Sequence, residues 1–395
     1  MIRTSLSNNI CCFIREMPLL FILVVISACS NGADEQKYME RARGYLESND
    51  PGPATLELKN ILLKNANNAE ARYLLGKIYL KLGDVKTAEK ELHRSLEAGW
   101  DESAVQLLLA EAMYRQGEFQ AVLDDIPIKD SYPDTVKSDL LGIWAASESG
   151  LGQWDEAEQT ISAGESITDS SLWLLQSKIQ LEIHRNNLKA AGEILEHALL
   201  VHPGSQDLWL LRAGLAEQKG DLVNADLALQ KVIDLDPLKN ITAWGRQAHL
   251  GQCKIRIRQK DIEKAKIALN PVLQAYPGDA EANFLGGLIA FTEGDLDLAE
   301  ERLLLVFKAF PDHYASLLLY GNLKYAQQDY QQAAYYLERA ASTHAEDVGT
   351  QTLLGKTYFK LGQFDEAGKR LEFAASRSSD NAELLALLGV TRFEQ

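Results

Sequence analysis

The sequence is short of cysteine and of positive charge, and it contains no alternating strand pattern; each shortage removes a class of protein. Four cysteines in 395 residues, Cys11, Cys12, Cys29 and Cys253, cannot build a disulfide framework. Three of them fall within the first 29 residues, so Cys253 stands alone in the body of the chain. Lys and Arg number 40 against 56 Asp and Glu, a formal net charge of −16. With no basic stripe to neutralise phosphates, nucleic acid is not expected as a partner. The acidity reads instead as a solvated outer face, where ion pairs with Lys and Arg are the default. The seven histidines are His93, His184, His197, His202, His249, His313 and His344. No two of them sit at i, i+4 with a carboxylate in zinc-ligand spacing. His184 reads as a solvated histidine at a helix end. There is no glycine-rich phosphate loop and no nucleophile elbow. The residues therefore point to no catalytic group, cofactor or metal. No stretch alternates at period two over strand length, which makes the chain all-α. No Gly/Ser linker or low-complexity tail divides it.

What is present is a repeat. A small or apolar residue recurs at Ala42, Gly76, Ala110, Ala145, Ile179, Ala213, Cys253, Gly287, Gly321, Gly355 and Gly389, at steps of 34, 34, 35, 34, 34, 40, 34, 34, 34 and 34. A period in the range of about 20–50 residues signals a stacked repeat protein. In the copy over 71–95, Leu75, Gly76 and Tyr79 share one helical face, Gly83-Asp84 breaks the helix, and Ala88, Leu92 and Ser95 form a stripe on a second helix. Gly76 and Ala88 are small where two antiparallel helices must approach, because bulk there would cost packing. The second stripe returns as Ala191, Leu195, Ala198; as Ala225, Leu229, Val232; as Ala265, Leu269, Val272; and as Ala299, Leu303, Val306. Pro203, Pro237, Pro277 and Pro311 follow and stop each second helix. Two irregularities break the register: six residues are added over 238–243, and 126–139 replaces a regular second-helix end with a proline-containing loop. Cys253 takes the buried place that Gly or Ala fills elsewhere and reads as a core residue rather than a reactive thiol.

Residues 1–28 do not fit the repeat. Arg3 and Arg15 precede about ten apolar residues over 19–28, too few to span a bilayer stably but suited to a secretion signal. The run ends Ile26-Ser27-Ala28-Cys29, which looks like a bacterial lipobox. Cys29 is accordingly the candidate lipidation site, whose acyl chains would hold the protein at a membrane. Ser30 stands where an inner-membrane retention signal would place Asp, so the periplasmic face of the outer membrane is favoured. The expected organisation is a signal peptide over 1–28, a lipidated tether over 29–34 and a repeat array over 35–395.

The 34-residue helix–turn–helix register resembles the tetratricopeptide-repeat superfamily over essentially the whole mature chain. The resemblance implies a right-handed superhelix, an α-solenoid of about ten repeats plus a partial eleventh, with the first helix of each pair lining a concave groove. Each repeat then depends on its neighbours for burial. Positions that face inward in such superhelices are Tyr73, Lys77, Lys81, Tyr114, Arg115, Trp173, Phe284, Phe291, Tyr325, Lys356 and Phe359. Aromatic and basic groups together suit proteins or peptide segments as partners in the groove. The Lys and Asn pattern with which chaperone-type members grip a C-terminal carboxylate is missing: Lys77 is followed by Glu111 in the next repeat.

The opening of the mature chain, over 38–126 and directly behind a lipobox, looks like the PEP-CTERM system TPR-repeat lipoprotein family. That resemblance implies a role beside exosortase and exopolysaccharide machinery in Gram-negative bacteria. A generic outer-membrane assembly lipoprotein, serving pilus, secretin or barrel biogenesis, has the same lipobox and repeats, as has the non-catalytic repeat part of a larger transferase. The sequence stops at Gln395 inside the first helix of the eleventh repeat, which is expected to leave Leu384, Leu385, Leu387 and Leu388 without their partner helix and suggests a truncated frame.

Overall fold

The computed structural model describes residues 34–236, 242–378 and 381–395. The signal segment, the lipobox with Cys29, Pro237 and residues 238–241 of the expected insertion lie outside the described residues. Within them every regular element is a helix and no strand occurs.

Among the described residues there are ten antiparallel pairs and one further helix. They are α1 (34–47) and α2 (Pro51–Lys64); α3 (Ala69–Leu82) and α4 (Val85–Glu97); α5 (Glu102–Gln116) and α6 (Phe119–Asp125); α7 (Asp134–Gly150) and α8 (Trp154–Glu165); α9 (Leu172–His184) and α10 (Leu188–Val201). There follow α11 (Gln206–Gln218) and α12 (Leu222–Asp234); α13 (Ala243–Arg258) and α14 (Ile262–Ala275); α15 (Ala280–Glu293) and α16 (Leu296–Ala309); α17 (Tyr314–Ala326) and α18 (Tyr330–Thr343); α19 (Val348–Lys360) and α20 (Phe364–Arg377); and α21 (Ala382–Glu394). The residues divide into two compact units, one up to Leu215 and one from Ala216 onward, with a short segment ending at Ala243 belonging to the first.

The turn inside each pair has one solution. Asn49, Gly83, Gly117, Gly152, Asn186, Gly220, Lys260, Gly294, Gln328 and Gly362 all have positive φ, at the repeat spacing. Six turns go on to a capping side chain: Asp84, Asn187, Asp221, Asp261, Asp295 and Asp329 each accept the backbone N–H three residues on. A share of the acidic excess is thus spent on orphan helix donors, where the helix dipole also favours negative charge.

Helices close on one another at the small position. A Cβ added to Gly76 would lie 2.6 Å from Leu92 Cγ, and Gly321 and Gly355 meet Leu337 and Leu371 in the same way. The second-helix stripes are buried as expected, with Ala88, Leu92 and Ser95 on α4, Ala265, Leu269 and Val272 on α14, and Ala299, Leu303 and Val306 on α16. Cys253 is fully buried in the core between α13, α14 and α15. The core of each unit is therefore a row of local clusters, each built from adjacent helices.

Polar pairs 27 residues apart tie successive repeats. Arg43 meets Glu70 at 2.5 Å, Lys254 meets Glu281 at 2.5 Å and Lys356 meets Glu383 at 2.6 Å, joining first helices α1 to α3, α13 to α15 and α19 to α21. A second row runs from the second helix to the end of the next first helix: Glu89 with Gln116, Glu158 with Arg185, Lys266 with Glu293 and Glu300 with Gln327.

One local expectation is corrected, and a second holds for two of its four residues. The irregular segment over 126–139 is a loop only as far as Pro133, and α7 already begins at Asp134. Proline is tolerated at a helix entry because the N–H it lacks has no partner there. Ile126 and Tyr132 stay buried against Leu140 and Ile143, so the loop fills the core that a longer α6 would have filled. At the other end, Leu384 and Leu388 are buried against Leu371 and Ala374, while Leu385 is exposed and Leu387 half-buried. The face of α21 that meets α20 is thus satisfied by the preceding pair.

Candidate functional site

The inward positions proposed from the sequence fall into three groups. In the first, the side chain is spent on packing, within its own helix pair or against a neighbouring repeat. Tyr114 packs on Phe119, Tyr325 on Tyr330 and Phe359 on Phe364, with ring centroids 5.3–5.5 Å apart. Each is an aromatic in the last turn of a first helix meeting the first residue of the second helix, five positions on. Tyr73 stacks on Trp100 at 5.7 Å, Trp173 meets Tyr114 edge-on at 5.4 Å, and Phe291 packs against the cluster around Leu319 and Tyr320.

In the second group, a charge is held by the scaffold. Lys356 is a rung of the 27-residue ladder, and Lys81 donates to Asn49 Oδ1. Arg115 binds Glu111 at 2.9 Å and reaches Asp207, 92 positions away, at 3.4 Å. Burial raises the Glu111 carboxyl above its ordinary range even with the Arg115 guanidinium beside it. This bridge spans α5 to α11 inside the first unit and depends on tight packing between them. There Gly142 lets the backbone of Trp173 and Leu174 approach so closely that an added Cβ would be 2.5 Å away, and Ser177 Oγ donates to the Gly142 carbonyl at 2.7 Å.

The third group has its chemistry turned outward. Lys77 is exposed and occupies the ladder position of Arg43, Lys254 and Lys356, but Ala104 stands where the acid would be. Phe284 lines a cleft of about 430 Å³ in the second unit with Ala280, Leu285, Val306, Phe310, His313 and Ala315. Phe310 is 58% exposed at its mouth. His313 meets Phe284 edge-on at 5.6 Å, and its Nδ1 lies 2.8 Å from Ser316 Oγ. The charges at the rim are paired: Glu281 with Lys254 at 2.5 Å and Arg246 at 3.3 Å, and Asp279 with Arg246 at 2.5 Å. Burial opposes ionisation of Asp279, but the hydrogen bond and charge of Arg246 together with the backbone N–H groups of Ala282 and Glu281 outweigh it and hold the carboxyl below its ordinary range. An apolar floor under a neutralised polar rim suits a bulky apolar side chain presented on a polar strand of peptide.

Periodicity alone did not single out Phe310, Leu285 and His313. The one available signal was Phe310 beside Pro311, an aromatic at a helix end that the core stripe does not use. His184 is exposed at the end of α9, as expected, and there it stacks on Trp154 with centroids 3.7 Å apart and planes at 7°. Burial pushes the Cys253 thiol up to about 12, which leaves it protonated and inert at neutral pH. Among the described residues no group of three His, Cys, Asp or Glu could hold a metal ion, and no helix is long and apolar enough to cross a membrane.

Family models agree with the repeat architecture. One tetratricopeptide repeat model matches residues 45–112 and 324–390, and a second matches 254–306 and 294–347. No curated protein matches the chain. Similar solved structures include PilW, a type IV pilus biogenesis factor, at 18% identity over 54% of this chain and 97% of that one, with a TM-score of 0.47. A tetratricopeptide repeat protein from Parabacteroides merdae is 16% identical over 65% of this chain and 98% of its own, with a TM-score of 0.47. The APC/C hetero-tetramer Cut9–Hcn1 is 14% identical over 91% and 90%, with a TM-score of 0.42. The chain belongs to the tetratricopeptide-repeat family, whose helix-pair arrays typically act as non-catalytic surfaces for protein partners.

Proposed function

We propose that the protein is a lipid-anchored scaffold at the periplasmic face of a Gram-negative membrane, the outer membrane favoured, that collects protein partners for exopolysaccharide synthesis or export and for exosortase-dependent sorting of surface proteins. The observation that carries the scaffold reading is the cleft lined by Phe284, Phe310 and His313, where one of the sequence candidates joins an aromatic, Phe310, that is 58% exposed. The anchor rests on the sequence Ile26-Ser27-Ala28-Cys29, and the pathway rests on the likeness of residues 38–126 to the PEP-CTERM lipoprotein family.

The test is in-cell photo-cross-linking with a benzophenone amino acid at position 310, beside a control at Tyr335, an exposed aromatic on the outer face of α18. Adducts at 310 with polysaccharide synthesis, export or exosortase components, absent at 335, are the expected result. Adducts with pilus, secretin or barrel machinery would overturn the pathway and keep the scaffold. Equal labelling at both positions would remove the cleft as the contact.

A further inference from the structure

We infer that the outer face of the first helix pair is a lipid-contacting surface, seated on the interface of the membrane that carries the anchor. This rests on the reading of Cys29 as the lipidated residue. Two residues of α2, Leu56 and Leu63, are 62% and 84% exposed. They lie seven apart on one side of the helix, with exposed Lys59 between them. The same register positions in the next repeats are polar, Lys90 and Glu97 on α4, Gln159 on α8 and Ser166 at its end, and where an exposed apolar residue returns, at Leu200, Leu227 and Ile267, it holds one of the two places only. Among these neighbouring repeats, only the first presents leucine at both places. Two exposed leucines flanking a lysine match a surface that dips apolar groups into the acyl boundary and keeps an ammonium among phosphates.

The geometry brings this face to the anchor. Lys64, next to Leu63, binds Asp34 at 2.6 Å, and Asn65 and Asn68 both donate to Glu35. The C-terminal end of α2 therefore lies beside the start of α1. Four residues lie between Cys29 and Asp34, and the five steps reach about 17 Å at full extension. A chain anchored so close cannot carry the Leu63 end of the first pair far from the headgroups. Lipid is favoured over a protein partner because the doubled leucines stand at the anchored end, whereas the single exposed apolar residues at this register, Leu200, Leu227 and Ile267, lie several repeats along the sequence from it.

The experiment uses the full-length protein expressed with its own signal. Leu56→Cys, Leu63→Cys and the control Glu97→Cys are each labelled with a thiol-reactive fluorophore, then placed in vesicles containing bromine-quenching lipids. Cys253 is buried and does not compete for label. Metabolic labelling with a radioactive fatty acid, compared with Cys29→Ser, reports the anchor separately. Acylation with loss of fluorescence at 56 and 63, and none at 97, is the expected result. Acylation with no more quenching at 56 and 63 than at 97 overturns the contact and leaves the anchor standing. No acylation overturns the anchor and this inference with it.

Discussion

Gly142 and Gly214 both sit inside first helices, and replacing each by alanine should move stability in opposite directions. An added methyl on Gly142 would lie 2.5 Å from Leu174 N and Trp173 C, where ordinary contact begins at 3.4 Å. The obstacle is backbone, so no rotamer change relieves it, and α9 must retreat from α7 by about 1 Å within a close-packed interior. Overpacking of this kind costs about 1–3 kcal/mol. The better helix propensity of alanine returns about 1 kcal/mol, leaving a net loss of about 1–2 kcal/mol at the upper end of that range. The retreat also strains the hydrogen bond from Ser177 Oγ to the Gly142 carbonyl. Gly214, on α11, meets nothing within 4 Å, so Gly214→Ala should gain about 0.5–1 kcal/mol. Stacked repeats need not unfold in one step, so the assay pairs urea titration with amide hydrogen exchange. Protection should fall across α7 and α9 in Gly142→Ala and rise on α11 in Gly214→Ala. If Gly142→Ala were as stabilising as Gly214→Ala, the close approach of α7 and α9 would be refuted.

Three further perturbations follow from the geometry. Lys260 holds the left-handed turn that glycine holds in six other repeats, at φ 61°. Lys260→Gly removes about 1 kcal/mol of steric strain against a smaller entropic loss, so a modest rise in Tm is expected, and a fall would show the turn to be unstrained. Glu300 is opposed by burial but accepts from Lys324, Tyr320 and Gln327, which hold its carboxyl below the ordinary range. A lowered folded pKa stabilises above the unfolded value of about 4.3 and is lost as pH falls through the folded one. Wild type should therefore lose acid stability that Glu300→Gln never had, as read by unfolding titrations from pH 6 to pH 2. Lys324→Met should cost about 1–3 kcal/mol at neutral pH by leaving that carboxylate short of a donor. Burial lowers the His249 imidazole below its ordinary range, so its contribution is complete above about pH 6.5 and declines as pH falls through the folded value. His249→Phe should flatten that slope between pH 7.5 and pH 5.5; an unchanged slope would assign it to another group.

The pairing of helices was legible because it rests on short-range chemistry. The 34-residue step recurs in the positive-φ turns and the Ala-Leu stripe, and in six of the ten turns an aspartate or asparagine cap adds a third signal. The loop before α7 was overestimated because Pro133 reads equally well as a loop residue and as a helix entry, and only the burial of Tyr132 decides between them. The candidate surface was less legible. An aromatic five residues ahead of another across a turn, as in Tyr325 and Tyr330, looks like groove surface in a periodicity plot and is hairpin packing in space. Conversely, Phe310 belongs to no stripe and was passed over, although its exposure makes it the widest apolar face of the cleft.

Register also decides which charges the scaffold consumes, and this can be tested at Lys77. Arg43, Lys254 and Lys356 stand at one register position, and each is matched by an acid 27 residues on. Lys77 keeps the cation but has Ala104 opposite, so a single substitution should complete the rung. Ala104→Glu should add about 0.2–1 kcal/mol at low salt, the usual worth of an exposed pair, and the gain should fade as the Debye length shrinks. The coupling is read from a double-mutant cycle with Lys77→Met, with Arg43→Met and Glu70→Gln giving the value of a native rung. Equal coupling in the two cycles would mean that the ladder depends on register alone and that the unmatched lysine is a choice of the sequence rather than of the backbone. Zero coupling for Lys77 beside a measurable native rung would mean that α3 and α5 are set too far apart there, and the backbone rather than Ala104 would be what leaves the cation exposed.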